Sequence, residues 1–324
     1  MLNNINPSFI FDLTATPRDK SNILSFVDAI KLKQNNMVKL PVIVYNHHDT
    51  NEVINSAIQL QKTLESKAKT EEENGGKYIR PIVLFQAQPR TADDNVTFEK
   101  IKAQLIELDI PENQIKIKTA EKDEIKNIDL LNRECEVRYI ITVNALKEGW
   151  DCPFAYVLAS LANKTSAVDV EQILGRVLRL PYVTKHKQDL LNYSYVFTSS
   201  NNFLNTLDKI IVGLNKAGFS SKDYRINDSQ KEIEPEKVEE QGSFEGLFGG
   251  SQTNETESSE TANNDELEID TESIKEISKS EKSKQQLDDI IDLAHNTSEE
   301  FEKTIEQYEK EDNLIPTELK DKVK

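Results

Sequence analysis

The chain has 324 residues and a formal net charge of −17, from 57 acidic and 40 basic side chains, and this length suits one or two domains. Its two cysteines, Cys135 and Cys152, stand in no metal-ligand or Cys-x-x-Cys spacing, which excludes a disulfide framework and fits a reducing cytosol. No apolar run approaches ~18 residues and no signal peptide opens the chain, so we expect a cytoplasmic protein without a membrane partner.

Strand-like and helical patterns alternate along the front of the chain. The predicted strands, read from apolar runs and alternation, span residues 9–13, 37–45, 79–86, 114–118, 137–143, 154–161 and 193–198. The predicted helices, read from apolar stripes at helical spacing, span residues 49–69, 98–108, 168–180 and 203–217. This alternation predicts an α/β fold with a mostly parallel sheet flanked by helices. Ligands of such sheets bind beyond the carboxyl ends of the strands.

The back of the chain has a different composition. Residues 226–324 hold 29 acidic against 11 basic side chains, whereas residues 1–225 hold 28 against 29. The front can therefore carry a local basic groove, and the acidity belongs to the tail. Residues 226–270 contain few large apolar side chains, so they are predicted to form a disordered acidic linker.

Residues 271–324 are predicted to form a helical tail. One apolar helix face is shared by Leu287, Ile290, Ile291 and Ala294. Thr297 followed by Glu300 is typical of a capping box that opens a second helix. Two amphipathic helices without a core of their own should dock, either on this domain or on sequence outside it.

The segment of residues 169–181 concentrates charge on one side of a predicted helix. Gln172, Arg176 and Arg179 stand at helical spacings of four and three, so their side chains share a face. Gly175 beside them leaves room for close approach, and the proline that closes the segment marks the expected end of the helix. Two arginines and an amide facing one way suit a polyphosphate. An exposed basic helix face gives the same spacing.

Three segments in order resemble the motifs of a known class of motor protein. Residues 13–18, Leu-Thr-Ala-Thr-Pro-Arg, resemble helicase motif III. Residues 144–153, Asn-Ala-Leu-Lys-Glu-Gly-Trp-Asp-Cys-Pro, resemble motif V, and residues 169–181 resemble motif VI. Together they resemble a superfamily 2 helicase, and motifs V and VI are similar in wording to the restriction subunit of type III restriction-modification enzymes and its DEAD/DEAH-box relatives. The resemblance covers about residues 8–225.

The resemblance also implies a domain that this sequence does not contain whole. It makes residues 1–20 the end of a first RecA-like domain and residues 21–225 a second one. In the family, the first domain carries a phosphate loop ending in Gly-Lys-Ser/Thr and an acidic motif that holds Mg²⁺. Here the pair Gly76-Lys77 is followed by Tyr78 and is predicted to lie in a loop. We therefore expect this chain to be the C-terminal part of a motor, to lack ATPase activity alone, and to use ATP and Mg²⁺ in the intact enzyme.

The resemblance assigns candidate nucleotide contacts. Arg176 and Arg179 would reach across a cleft to ATP held by the first domain, one of them as an arginine finger. Gln172 would sense the nucleotide or tie motif VI to the first domain. Gly149 would let a strand-to-helix turn approach the ligand closely, and Asp151 would accept a hydrogen bond from a ribose hydroxyl or orient an arginine.

Four further residues are candidates for nucleic-acid contact and for coupling. Lys147 and Thr142 would contact DNA phosphates, although a solvated lysine fits the sequence equally well and the spacing from Thr142 to motif V is looser than usual. Thr14 and Thr16 would couple the nucleotide state to domain closure, or would only cap the turn before Pro17.

Two functions of different classes are compatible with these patterns. The first is an ATP-dependent DNA helicase or translocase that binds DNA through its phosphates, with sequence recognition supplied by a modification (methyltransferase) subunit. The alternative is a non-catalytic nucleic-acid-binding or regulatory module with a RecA-like fold, in which the acidic tail occupies a basic groove or recruits a partner.

Overall fold

The computed structural model describes residues 29–87, 97–143, 151–161, 177–199, 224–228 and 270–311. Within them, seven strands form one sheet in the order β3-β4-β2-β5-β6-β1-β7, and every neighbouring pair is parallel. The strands are β1 (Val42–Asn46), β2 (Ile82–Gln86), β3 (Ile115–Lys118), β4 (Tyr139–Thr142), β5 (Ala155–Ser160), β6 (Ser194–Thr198) and β7 (Tyr224–Asp228). The predicted α/β, RecA-like architecture is thereby confirmed.

Helices and short 3₁₀ turns connect these strands and cover the sheet. The α-helices are α1 (Ala29–Gln34), α2 (Thr50–Glu73), α3 (Thr97–Glu107), α4 (Thr271–Lys279) and α5 (Glu281–Glu311). The 3₁₀ turns are Glu112–Gln114, Pro181–Val183 and Asp189–Asn192. No helix in the described part of the chain is long and apolar enough to cross a membrane.

The inner strands are buried along their whole length because both faces of the sheet are covered. Every residue of β1, β2, β4, β5 and β6 is buried, whereas β3, at the edge of the sheet, alternates buried with half-buried residues. Continuous burial of this kind is the pattern of a parallel sheet enclosed on both faces.

Helix α2 begins where its sequence predicts and continues four residues past its predicted end at residue 69. Asp49 accepts a hydrogen bond from the Glu52 amide at 2.8 Å and caps the first turn. Beyond the last turn Gly75 adopts φ +83°, a left-handed conformation that glycine tolerates. A Cβ on Gly76 would lie 2.6 Å from Glu71 Cγ, so the backbone packs closely there. The predicted loop between this helix and β2 is confirmed.

Two predicted boundaries at the start of the sheet and the end of motif VI are wrong. The strand expected over residues 37–45 begins only at Val42, because Pro41 offers no N–H to a ladder. The helix expected to reach residue 180 ends at Val177, and Arg179 instead forms an antiparallel bridge with Val38. The predicted strand 9–13, the helix 203–217 and motif III lie outside the described residues.

The helical tail docks on the α/β domain itself. Ile274, Ile290 and Ala294 are buried and belong to the common core, and Asn55 Nδ2 of α2 donates to Ser283 Oγ at 2.7 Å. The predicted capping box is wrong, since α5 passes through residue 297 without a break. The break comes at Ser280, whose Oγ accepts the Ser283 amide at 3.1 Å and so opens α5 instead.

The α/β domain also continues slightly past its predicted end. Strand β7 pairs with β1 through Asp228, beyond the expected boundary at residue 225. Most of the predicted acidic linker, residues 229–269, lies outside the described residues.

Candidate functional site

The carboxyl edge of the sheet is a row of polar residues in register. In sheet order, the seven strands end at Lys118, Thr142, Gln86, Ser160, Thr198, Asn46 and Asp228. Each of these residues is paired with its neighbour in the row, so the strands all end at one level. This is the edge at which α/β sheets bind ligands.

Thr142 stands out in this row. Its side chain is fully buried, and its Oγ1 has no hydrogen-bond partner among the described residues. By contrast, the Ser160 hydroxyl and the Gln86 side-chain carbonyl lie 3.3 Å apart in a hydrogen bond. A buried hydroxyl left without a partner costs free energy, so Thr142 is placed where a ligand atom would satisfy it. Its role as a DNA contact stays a prediction.

Beside the row, Glu52 gathers donors from three directions. It accepts hydrogen bonds from the His48 amide at 3.1 Å and from Lys282 Nζ of α5 at 3.0 Å, and His47 Nδ1 lies 3.8 Å away. Burial acts to raise the pKa of Glu52, but the hydrogen bonds from His47, Lys282 and the His48 amide outweigh it and lower the pKa to about 2. Burial lowers the pKa of His47, which favours the neutral ring.

At the opposite, amino edge, Asp151 forms an ion pair with Arg179. Both side chains are about half exposed. Asp151 lies just ahead of β5, and Arg179 bridges to Val38 just ahead of β1. The end of motif V and the end of motif VI therefore meet in space, although 28 residues separate them in sequence.

The two ends of the motif V region lie at different edges of the sheet. Thr142, just before the motif, ends β4 at the carboxyl edge, whereas Asp151 lies ahead of β5 at the amino edge. Residues 144–150 between them lie outside the described residues.

The end of motif VI is set by backbone hydrogen bonds from a distant segment. The Lys39 amide donates to the Leu178 carbonyl at 2.6 Å, and the Leu180 amide donates to the Met37 carbonyl at 3.0 Å. Leu180 precedes a proline and is extended, with φ −76° and ψ 128°. The spacing predicted that Arg179 shares a helix face with Gln172 and Arg176. Arg179 instead lies outside the helix.

Beneath the ion pair lies Lys39, a buried lysine. Its Nζ donates to the Pro153 carbonyl at 2.9 Å and to the Ala155 carbonyl, and it lies 4.0 Å from the centre of the Tyr156 ring. Burial lowers the pKa of Lys39 well below its usual value. The lysine fixes the chain that follows Asp151 against the chain that bridges to Arg179.

Arg80 likewise fixes the loop ahead of β4 through hydrogen bonds to its backbone. It is 1% exposed and donates to the carbonyls of Val137 at 2.9 Å, Asn132 at 2.9 Å and Leu130 at 2.5 Å. Sequence alone does not reveal either buried basic side chain, because their acceptors are backbone carbonyls of remote segments.

An aromatic side chain stands out from the same edge. Tyr182 is 42% exposed, its hydroxyl donates to the Tyr78 carbonyl at 2.7 Å, and Lys77 Nζ lies 4.8 Å from the centre of its ring. Tyr182 and Val183 have φ of +60° and +52°. The only sequence signal for this residue was its position directly after the proline that ends motif VI.

Of the predicted site residues, the structure brings Asp151 and Arg179 together and places Thr142 on the opposite edge. The others lie outside the described residues and stay predictions: Thr14, Thr16, Lys147, Gly149, Gln172, Gly175 and Arg176. Within the described ranges, no group of three or more His, Cys, Asp or Glu side chains is placed to hold a metal ion.

No protein-family model and no curated protein matches the chain. Among solved structures, an ATP-dependent Type ISP restriction-modification enzyme, LlaBIII, bound to DNA aligns with 61% of this chain and 16% of its own length, at 16% identity and a TM-score of 0.37. A fragment described as an HsdR subunit of a type I restriction enzyme from Vibrio vulnificus YJ016 aligns with 61% of this chain and 38% of its own, at 17% identity and a TM-score of 0.34. The chain thus spans a minor part of each protein, and neither is a type III enzyme.

Proposed function

We propose that this chain is the second motor domain of an ATP-dependent DNA helicase or translocase, of the kind found in type III restriction subunits. The Asp151–Arg179 ion pair carries the proposal, because it joins the two motifs that the family uses to contact nucleotide. The family resemblance assigns both Asp151 and Arg179 to the nucleotide site, and the two half-exposed side chains lie in contact.

The ion pair suits orientation better than stability. Between half-exposed side chains such a pair contributes at most about 1 kcal/mol to folding. A guanidinium has five N–H donors in a planar fork, so a carboxylate on one side leaves the others for phosphate oxygens. Asp151 would thus hold Arg179 ready for a polyphosphate, which is the second of the two roles predicted for it.

The carboxyl edge would serve DNA. Its strand ends are mostly neutral and polar, which suits hydrogen bonds to phosphate and sugar without reading bases. Thr142 offers a hydroxyl with no partner among the described residues there, and Lys147 would add a charge. Thr142 ends β4 and Asp151 precedes β5, so the chain between them would couple the DNA contact to the nucleotide contact.

The intact motor would need groups beyond those described in this chain. The sequence holds no Gly-Lys-Ser/Thr phosphate loop, so a first RecA-like domain would bind the ATP phosphates and Mg²⁺. A modification (methyltransferase) subunit would supply sequence recognition, as the family resemblance implies. Arg176, with Gln172 beside it, would complete the set of side chains that meet ATP from this domain.

The test is DNA-stimulated ATP hydrolysis, measured on this chain alone and on the chain joined to a phosphate-loop domain encoded upstream of its Met1 codon. We expect no turnover from the chain alone. In the joined protein, loss of an arginine that stabilises the transferred phosphoryl group costs roughly 10³- to 10⁵-fold in kcat. We expect this loss from Arg176→Ala or Arg179→Ala, and Arg133→Ala, an exposed arginine elsewhere, should leave kcat unchanged.

Steady hydrolysis by the chain alone that Arg176→Ala abolishes would contradict the proposal. Salt-sensitive DNA binding by the joined protein without any hydrolysis would favour the non-catalytic binding module instead.

A further inference from the structure

The surface beside Arg179 is unusually apolar for a solvent-facing edge. Met37, Tyr182 and Val183 are 48%, 42% and 56% exposed, which makes them three of the five large hydrophobic side chains most exposed in the described chain. The Met37 carbonyl accepts the Leu180 amide, so all three flank the bridge that holds Arg179. An arginine that would bind phosphates therefore borders a surface suited to an apolar group.

The Tyr182 ring is held in one position on this surface. Its hydroxyl is fixed on the Tyr78 carbonyl at 2.7 Å, and the Phe154 ring meets it at 63° with centroids 6.1 Å apart. Burial raises the pKa of Tyr182, which keeps the hydroxyl protonated as a donor. An aromatic ring that is already ordered loses little conformational entropy when a flat ligand stacks on it.

The backbone under the ring is strained. Tyr182 and Val183 both lie in the left-handed region, where a β-branched residue such as valine is an outlier. Such conformations cost free energy and occur mainly where the surrounding structure needs them. Here the turn aims the ring outward instead of letting it pack into the core.

We infer that Tyr182 is a stacking platform for the base of the nucleotide whose phosphates meet Arg179. The inference rests on the proposed function and names how that site would hold the rest of the ligand. The two residues are three positions apart, so their Cα atoms lie within about 10 Å of each other, a span that suits the distance from phosphates to base. Lys77 Nζ lies 4.8 Å from the ring centre and would therefore lie beside the stacked base.

Stacking alone reads the flat face of a base and not its edge. The platform should therefore accept a purine nucleoside triphosphate with little preference between adenine and guanine. The platform should contribute nothing to the binding of inorganic tripolyphosphate, which has no base. This difference separates the base platform from the phosphate site.

The experiment uses the full 324-residue chain and a 2-aminopurine riboside triphosphate, whose fluorescence falls when the base stacks. Base stacking is measured by quenching, and the affinities of ATP, GTP and tripolyphosphate are measured separately by isothermal titration calorimetry. We expect Tyr182→Ala to abolish the quenching and weaken ATP and GTP roughly 5- to 100-fold, with tripolyphosphate unchanged. Tyr182→Phe should keep the quenching and the affinity for ATP and GTP. Ile106→Ala, at a similarly exposed residue, should change neither.

Three outcomes would overturn the platform: no quenching by the chain at millimolar concentration, equal affinities in Tyr182→Ala and wild type, or equal losses of ATP and tripolyphosphate affinity. A loss in Tyr182→Ala confined to a single-stranded oligonucleotide would assign the ring to nucleic acid and also overturn it. The proposed function fails by a separate readout, namely tripolyphosphate binding that Arg179→Ala leaves intact.

Discussion

The two edges of the sheet are built on opposite plans. At the carboxyl edge the strands end in buried, mostly neutral polar residues, and one hydroxyl, that of Thr142, is left without a partner among the described residues. At the amino edge two long basic side chains, Lys39 and Arg80, are buried and donate to backbone carbonyls, and the buried Ser194 hydroxyl also has no partner among the described residues. The exposed groups at that edge are an arginine and an aromatic ring.

Under the proposed function, this difference would let one domain hold two ligands. Buried basic side chains bonded to carbonyls hold the backbone of the amino edge, from which Arg179 and Tyr182 project. The carboxyl edge needs no such scaffold, because its polar atoms sit on the strands themselves. The following variants test this comparison, starting with the largest expected effect.

Removing the scaffold of the amino edge should cost the most. Arg80→Ala removes the donor of the buried Val137 and Leu130 carbonyls, each worth about 1–3 kcal/mol when unsatisfied. The Asn132 carbonyl keeps the Cys135 amide as a donor, so we expect the free energy of unfolding to fall by about 2–5 kcal/mol. Urea unfolding measures this change in the free energy of unfolding. Arg133→Ala, whose side chain is 65% exposed and pairs with Glu72, should cost less than about 1 kcal/mol. Equal losses would mean that burial of Arg80 is unimportant.

The ion cluster at the start of α2 should make stability depend on pH. Glu52 has a pKa of about 2 in the fold, below its usual 4.5, so its ionised form stabilises the protein above pH 4.5. That contribution, at most about 3 kcal/mol, is lost as the pH falls through the range from 4.5 to 2.

Glu52→Gln should therefore be less stable than wild type at pH 7, and the gap should close as the pH falls toward 2. Urea unfolding at several pH values checks this. Glu112→Gln removes an exposed partner of Lys102 and should leave the unfolding curve close to that of wild type. A gap that is constant from pH 7 to pH 3 would show that charge at position 52 is not the cause.

At the carboxyl edge, Thr142→Val should separate binding from folding. The change removes a buried hydroxyl with no described partner, so stability should stay the same or rise by up to about 1 kcal/mol. Duplex DNA binding at fixed salt should weaken about tenfold if the hydroxyl meets a phosphate. Thr119→Val is the matched control, since its Oγ1 accepts the Lys122 amide at 3.0 Å. It should lose stability and keep DNA binding.

The sequence predicted what depends on local pattern. Apolar runs such as Ile82–Gln86 located the strands, and Asp49 with the following stripe located α2. The motif order placed Asp151 and Arg179 among the site residues before their contact was known. These features follow from residues close together in the chain, where periodicity and capping act.

What the sequence missed depends on distant partners. Arg179 leaves the helix because residues 37–39 bond the backbone around it. Lys39 can be buried because carbonyls over a hundred positions away accept hydrogen bonds from its Nζ. The tail forms one long helix past Thr297 because buried residues such as Ile290 and Ala294 hold it on the domain. Propensity alone cannot reveal such contacts.

The smallest predicted effect tests whether the amino edge stores strain for its ligand. Val183 lies at φ +52° with its side chain 56% exposed, so it gains little from packing there. The left-handed conformation costs an L-residue about 1–2 kcal/mol. Replacing valine with glycine removes this cost, but the greater freedom of glycine in the unfolded chain offsets part of the stabilisation. Val183→Gly should therefore raise the free energy of unfolding by up to about 1 kcal/mol. If stacking needs the strained turn, the stabler variant should quench 2-aminopurine nucleotide less well, and equal quenching would mean that Tyr182 is held by its hydroxyl alone.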